Sequence, residues 1–494
     1  MHDKARMTKP ASSRPVSSGL WPLIAVSLLL AGCSLAPAYH VPTSVAPATV
    51  FRADPGWVPA TPSDAVAKGA WWTLFGDDAL TALEARVLIT NQNLAYYRAV
   101  YAQSLAAVRV DRAALLPTVG VSAGASTNGT VSGQAPRAGA NSATTFSIIG
   151  TASWAPDLWG SVANTVRGAR ATAQASAAQL ANATLSAQGA LAASYFHLRG
   201  IDAQAAMLDT TLASYKRSYD IARNKYAAGT VSSADVDTAR ATLENAIASR
   251  RDFERQRIAD EAAIAVLVGE NAGTFALPRA QWHPVVPAVP GVVPSVVLER
   301  RPDIAGAERQ VAAANANIGV QKAAFFPTVP LTASLGSSAS SLGSLFGAAT
   351  SVWSLGANIA ETLLDWGARA GRLAGARAAY DATVATYRQT VLVAFQEVET
   401  DLGAVAAYRA EVEHVRAASQ AADRAENVTR NEYQAGTVDF TTVSAAQATA
   451  YSARVNLIQT TVNQQNATVL LIEAIGGQWS GPVDLQLSDQ PLAP

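Results

Sequence analysis

The hexapeptide YAAGTV at residues 226–231 returns as YQAGTV at 433–438, 207 residues later. The same spacing aligns LWGSVANTVRGARA, from Leu158, with DWGARAGRLAGARA, from Asp365. It pairs Gly160 with Gly367, Gly168 with Gly375 and Arg170 with Arg377, and it matches LVGE from Leu267 with AIGG from Ala474. One spacing held over about a hundred residues is the mark of duplication rather than chance. Upstream, ALLPTVGVSAG from Ala114 matches AFFPTVPLTAS from Ala324 at a spacing of 210. A loop between the two anchors absorbs the three-residue difference, since loops tolerate insertion. The chain must therefore build one plan twice.

Each copy reads as helix, proline, strand, loop, strand, very long helix, tight turn, helix. Pro117 and Pro327 end the first helices, because proline lacks the amide the helix needs. In the first copy Val119, Val121, Ala123 and Ala125 alternate with Gly120, Ser122, Gly124 and Ser126. Phe146, Ile148, Gly150 and Ala152 then alternate with Ser147, Ile149, Thr151 and Ser153, Ile149 breaking the polar side. In the second copy Val329, Leu331, Ala333 and Leu335 form one apolar row, and Trp353, Leu355, Ala357 and Ile359 the other. The loops between them, TNGTVSGQAPRAGANSA and GSSASSLGSLFGAAT, are rich in Gly, Ser and Ala. Period-two alternation with one small or polar face suits a barrel wall with lipid outside and water inside. Four strands cannot close such a barrel, and open edges are forbidden in lipid. Several chains are expected to share one barrel.

The long helices are expected over about 158–226 and 366–433, each on the order of 100 Å at 1.5 Å per residue. A helix of that length needs a partner along its seam. Ile201, Ala205, Leu208, Leu212, Tyr215, Tyr219, Ala222 and Tyr226 recur at alternating spacings of four and three, the coiled-coil period. The second copy has Tyr408, Val412, Val415, Ser419, Ala422, Glu426, Thr429 and Tyr433. Its polar members Ser419, Glu426 and Thr429 predict looser packing and a movable second hairpin.

The repeated hexapeptide marks where each long helix reverses. Gly229 and Gly436 can take the left-handed backbone that ends a helix. Ser232 and Asp439 are placed to cap the next helices. A turn alone does not require the same Thr-Val after each glycine. Gly229, Thr230, Val231, Gly436, Thr437 and Val438 are therefore read as docking tips.

Residues 1–32 read as a signal peptide. Lys4, Arg6, Lys9 and Arg14 precede the apolar run LWPLIAVSLLL, which is too short to span a bilayer comfortably. LAGC follows, ending at Cys33, and resembles a bacterial lipobox. That resemblance implies cleavage before Cys33 and acylation of its thiol, and Ser34 rather than Asp implies sorting to the outer membrane. No later stretch is an apolar run of 18 residues, so any membrane crossing is by strands.

Composition closes off other classes. The formal net charge is +0 and only 15% of residues are charged, without the basic footprint of nucleic-acid binding. Cys33 is the single cysteine, which excludes an intrachain disulfide. His2, His40, His197, His283 and His414 show no ligand spacing, and no phosphate-binding GxxxxGK[ST] occurs. No catalytic, cofactor or metal residues are expected.

Three stretches carry a family likeness: WWTLFGDDALTALEARVLITNQNL from Trp71, APDLWGSV from Ala155, and RRPDIAGAERQVAAANANIGVQKAAFFP from Arg300. With them nearly the whole mature chain resembles the TolC-like outer-membrane efflux proteins, in their lipoprotein branch. RRPDI also has a local account, with Pro302 in a first helical turn and Asp303 at the positive end of a helix dipole. The resemblance implies a mainly α chain with a membrane β-barrel. Three chains would give four strands each to a twelve-stranded barrel continued by a long α-helical periplasmic tube. It implies repeats over 33–297 and 298–476 and a C-terminal belt segment over 477–494. Segments near 71–78 and 269–297 would join that belt.

The same resemblance implies a homotrimer in the Gram-negative outer membrane, contacts of the two turns with a periplasmic adaptor, and an inner-membrane transporter of the RND or another type. Tyr433, Asp439 and Thr442 are the gate candidates. Many relatives carry aspartates where this chain has Thr442 and Ala445, so an acidic ring at the usual level is not expected. The function implied is passive exit of drugs or small molecules. A protein-export duct shares the fold, and a non-conducting periplasmic scaffold would not need the strands.

Overall fold

A computed structural model describes residues 35–42, 70–129, 143–287 and 301–477. Cys33, the signal peptide and the C-terminal belt segment beyond 477 lie outside the described residues, as does 288–297 of the expected belt. After a 3-10 turn at Trp71–Phe75 the helices are α1 (Asp78–Thr90), α2 (Gln92–Ala113), α3 (Ser161–Ala227), α4 (Ser233–Leu267), α5 (Pro302–Ala323), α6 (Ala368–Ala435) and α7 (Phe440–Ala474). The strands are β1 (Thr118–Asn128), β2 (Ala143–Trp154), β3 (Leu331–Ala339) and β4 (Ser351–Ala357). The order repeats as expected: a helix, two strands, a very long helix, a turn and a shorter helix. Gly160, Gly229 and Gly269 all have positive φ, and so do their counterparts Gly367, Gly436 and Gly476.

The chain falls into two compact units. One comprises Ala107–Ala169 and Ala313–Tyr380 with the N-terminal residues through Tyr39. It holds the antiparallel sheet, in the order β1-β2-β3-β4. Register explains why the alternation matters. Val119 pairs with Ala152, which pairs with Ala333, which pairs with Leu355. Val121, Gly150, Leu335 and Trp353 form the next apolar row on that face. The intervening row is Gly120, Thr151, Ser334 and Ser354, with the last two hydroxyls 2.8 Å apart. Apart from Ile149 and Val352, which share a row on the other side, the four strands agree on one apolar and one small or polar face. Leu355 and Trp353 are nearly four-fifths exposed in the single chain. The outer edges of β1 and β4 have no partner strand among the described residues.

Two strand limits differ from expectation. β3 begins at Leu331, since Pro330 has no amide to give the ladder, although Thr328 still bridges Ala360. It runs on to Ala339 through residues expected as loop, because β2 supplies pairing from Ile149 back to Phe146. Backbone pairing needs no apolar side chain. β4 ends at Ala357, two residues before Ile359. In the same unit Asn315 of α5 donates to the Pro37 carbonyl at 3.0 Å, and Ala36 lies against Gly319. The segment just after Cys33 is thereby laid along α5.

The other unit comprises His40–Ala106, Arg170–Ala312 and Asp381–Pro494. Its main core joins Trp71, Trp72, Phe75, Leu80, Leu83 and Val87 to Leu191, Tyr195 and Phe196 of α3, Ile264 of α4, Phe275, and Val469 and Ile472 of α7. Asp77 seats α1 by accepting from the Ala79 and Leu80 amides, and its second oxygen accepts from the Tyr195 hydroxyl at 2.7 Å. The expected segments at 71–78 and just after Gly269 therefore share one core. No described helix is long and apolar enough to cross a membrane.

Candidate functional site at the hairpin turns

Both reversals are built alike. The Gly229 amide donates to the Tyr226 carbonyl at 2.9 Å, and the Thr230 amide to the Lys225 carbonyl at 2.9 Å. The second copy repeats this with Gly436 on Tyr433 at 3.1 Å and Thr437 on Glu432 at 3.0 Å. This is a Schellman end, with its glycine at φ 72° or 80°. The threonine hydroxyls add to it: Thr230 Oγ1 donates to the Lys225 carbonyl at 2.9 Å and Thr437 Oγ1 to the Glu432 carbonyl at 3.0 Å. The repeated threonine thus has a role within the turn itself, satisfying a terminal helix carbonyl. Thr230 and Thr437 remain exposed, while Val231 and Val438 are half-buried.

The caps follow the sequence expectation. Ser232 and Asp235 form a capping box at the start of α4. Asp439 caps α7: its Oδ1 accepts from the Thr442 amide at 2.9 Å, the Thr442 hydroxyl at 2.6 Å and the Thr441 hydroxyl at 2.8 Å. The Thr442 hydroxyl, foremost among these donors, lowers the Asp439 pKa. Asp439 and Thr442 are therefore bound to one another at a helix start.

Tyr433 is buried. Its ring packs edge-on against Phe440 with centroids 5.5 Å apart, in a cluster with Ala222, Ala239 and Val443. Lys225 Nζ stands 4.1 Å from the ring centroid and donates to the Tyr433 carbonyl at 2.9 Å. The two hairpins of one chain are thus fastened near their turns by a cation on an aromatic face. The Tyr433 hydroxyl is buried without a hydrogen-bond partner, and burial, then Asp235, raises its pKa.

Along the seam Ile201, Ala205, Leu208, Tyr215 and Ala222 are buried, whereas Tyr226 is half exposed beside the turn. In the second copy every seventh residue is buried: Val412, Ser419, Glu426 and Tyr433. Glu426 is held by Arg454 at 2.7 Å and Arg430 at 3.3 Å, and Arg454 also reaches Asp423 at 2.7 Å. Burial, then the Glu426 charge, pushes the Tyr215 hydroxyl up to about 12. Glu426 is consequently paired inside the bundle. Gln447 donates to Ser218 at 3.3 Å, and Tyr215 to the Gln447 carbonyl at 3.4 Å.

Sequence reading missed one further cluster. Arg301, buried at the head of α5, donates to Asp303 at 3.0 and 2.7 Å, to Glu397 at 2.7 Å and to the Ala474 carbonyl at the end of α7 at 2.9 Å. The RRPDI stretch was its only outward signal. Among the histidines, His197 Nδ1 lies 2.7 Å from Asp260, a bond that raises the imidazole pKa.

A family model for outer membrane efflux proteins matches residues 84–270 and 293–477, once for each copy of the plan. The chain belongs to the outer membrane efflux protein family. The chain is 30% identical over 482 residues to the probable efflux pump outer membrane protein TtgC of Pseudomonas putida KT2440, covering 94% of this chain and 96% of that one. Pseudomonas aeruginosa PAO1 has a pyoverdine export outer membrane protein, OpmQ, 28% identical over 92% of this chain and 96% of its own length. The solved outer-membrane channel OprN superposes with a TM-score of 0.80 at 26% identity, over 90% of this chain and 100% of that chain. The open state of the Neisseria gonorrhoeae MtrE channel gives 0.79 at 26%, over 90% and 99%.

This efflux protein is accordingly an outer-membrane channel of an efflux pump, of the TolC-like fold. The family model meets each half of its internal duplication once.

Proposed function

We propose that the chain is the passive exit duct of a tripartite small-molecule pump, working as a homotrimer anchored by lipid on Cys33. The open four-stranded sheet, with one apolar and one polar face in register, carries this reading. Its two edges must pair with sister copies, since unpaired edges are not tolerated in lipid. Three chains give twelve strands, and two would reach only about the smallest known barrel size. A lipid on Cys33 would begin two residues before a segment laid along α5, in the same unit as the sheet. The exposed turns at Gly229-Thr230-Val231 and Gly436-Thr437-Val438 meet a periplasmic adaptor, which couples the duct to an inner-membrane transporter. That transporter supplies the energy. The duct performs no chemistry and needs no cofactor or metal. It opens when an adaptor binds the open arrangement better than the closed one.

Deleting the gene should raise susceptibility to at least one compound in a panel of antibiotics, dyes and solvents, and the wild-type gene should restore resistance. Cys33→Ala should restore it only in part. Unchanged susceptibility across the panel would remove the proposal. The turn assignment has a sharper test in Gly436→Val. Nothing lies within 4 Å of a Cβ placed there. The cost is therefore backbone strain of about 1–2 kcal/mol. The variant's outer-membrane level should fall by no more than a few-fold, and it should still fail to complement where wild type held at the same level succeeds. Full complementation would show that the second turn does not dock.

A further inference from the structure

Glu84 lies on α1 between the core residues Leu83 and Val87. It is 0% exposed, and neither carboxyl oxygen has a hydrogen-bond partner. Glu473, one residue from the end of α7, is the acid whose charge acts on it. The Glu473 carboxyl occupies the space left by a missing side chain, because a Cβ built on Gly189 of α3 would fall on it. From α6, Asp401 and Glu397 also face Glu473. Among the described residues Arg301 is the one cation acting on this group, and its guanidinium is already engaged by Asp303, Glu397 and the Ala474 carbonyl. Leu80, Leu83 and Val87 of α1 share a core with Val469 and Ile472 of α7, so the two acids sit within the contact that seats α1.

We infer that Glu84, buried, and Glu473, half-buried, form a proton-binding pair, which seats α1 on the end of α7 while both carboxyls are neutral and loosens it progressively as conditions favour loss of either proton. A buried carboxyl without donors cannot hold its charge cheaply beside a second acid. The direction of each titration agrees. Burial, then Glu473, pushes Glu84 up to about 9. Burial, then Asp401 and Glu397, pushes Glu473 up to about 7, with Arg301 opposing. Burial, then Glu397, lifts Asp401 to about 6, again with Arg301 opposing. Each value is raised above that of the unfolded chain. The neutral acids thus add stability that is complete below the ordinary carboxyl value of 4.5 and is lost as pH rises through 7 and on toward 9.

The test is hydrogen exchange on the full assembled protein in detergent, read at the α1 amides and corrected for the intrinsic pH dependence of exchange. Between pH 6 and 8.5 the protection of α1 should fall by roughly tenfold or more, since one pKa unit is one decade of population. The middle of α4 serves as an internal reference and should change far less. The double variant Glu84→Gln, Glu473→Gln mimics the neutral pair and should keep α1 protected across the range. Flat wild-type protection overturns the inference, as does an equal fall in α4 or a full fall in the double variant. The wild-type titration decides by itself should the double variant not fold.

Discussion

Gly269→Val should remove most of the protein from the outer membrane, whereas the same change at Gly229 should lower its level only a few-fold. Both glycines end a helix with positive φ, 69° and 72°. Both ends are closed by the same pair of bonds: Gly269 to the Val266 carbonyl at 3.2 Å and Glu270 to the Ala265 carbonyl at 2.8 Å reproduce the turn at Gly229. The surroundings differ. Around Gly229 nothing lies within 4 Å of a Cβ, but at Gly269 the Thr90 carbonyl carbon would stand 2.9 Å away, with its oxygen nearer still. That carbonyl belongs to the last residue of α1 and cannot swing aside like a long side chain. The same joint fastens the end of α4, since the Thr90 hydroxyl donates to the Val268 carbonyl at 2.5 Å and the Asn91 amide group to the Leu267 carbonyl at 2.7 Å. Backbone strain of about 1–2 kcal/mol, about 1–3 for overpacking and about 1 for each of the two lost bonds add to roughly 4–7 kcal/mol. A loss of that size exceeds what changes cellular abundance several-fold. Immunoblots of outer-membrane fractions and denaturant midpoints of the solubilised protein would measure it. Equal levels of the two variants would show that the Thr90 joint yields.

The sequence disclosed those features whose physics is local or periodic. Alternation in Val119–Ala125 gave β1, and the four-three spacing from Ile201 to Ala222 gave a seam that is buried or half-buried in the fold. The glycines spaced by 207 residues marked helix ends because positive φ is a backbone requirement carried by one residue. The extension of β3 through Gly336 to Ala339 was hidden, because it depends on pairing with β2 rather than on its own composition. The repeated Thr230 and Thr437 point in the sequence to a surface for another protein, and their second role, each hydroxyl bonding a carbonyl five residues back, shows only in the fold. A threonine directly after a helix-ending glycine was the available signal. The acids around Arg301 were illegible for a different reason. Glu397, Asp401 and Glu473 come from two helices, and only the fold brings them to one arginine.

Arg301→Ala should be the most damaging change to a charged residue, and its damage should depend on pH. Arg301 is 8% exposed and makes four hydrogen bonds to three partners. Truncation leaves Asp303 and Glu397 without their cation and the Ala474 carbonyl without its donor. It also removes Arg301's lowering effect on the pKa of Glu473 and Asp401. Breaking one side of such a buried pair costs about 3–5 kcal/mol. Glu397 is nearly half exposed, so water screens its share and the lower end of that range applies. Arg301→Lys keeps the charge but not the planar fork that spans Asp303, Glu397 and the helix end, and should recover only part of the loss. The pH dependence follows from the acids left behind. Without Arg301 their pKa values move further up, and the unfolded chain still titrates near ordinary carboxyl values. The variant's deficit should then be largest above pH 7, where Glu473 and Asp401 would be charged. It should shrink as pH falls through 6, where both take up protons more readily in the folded chain. Denaturation of wild type and Arg301→Ala at pH 5.5 and 8 would read this directly. A deficit that is the same at both pH values would mean that Arg301 acts through packing and the Ala474 cap, not through the acids.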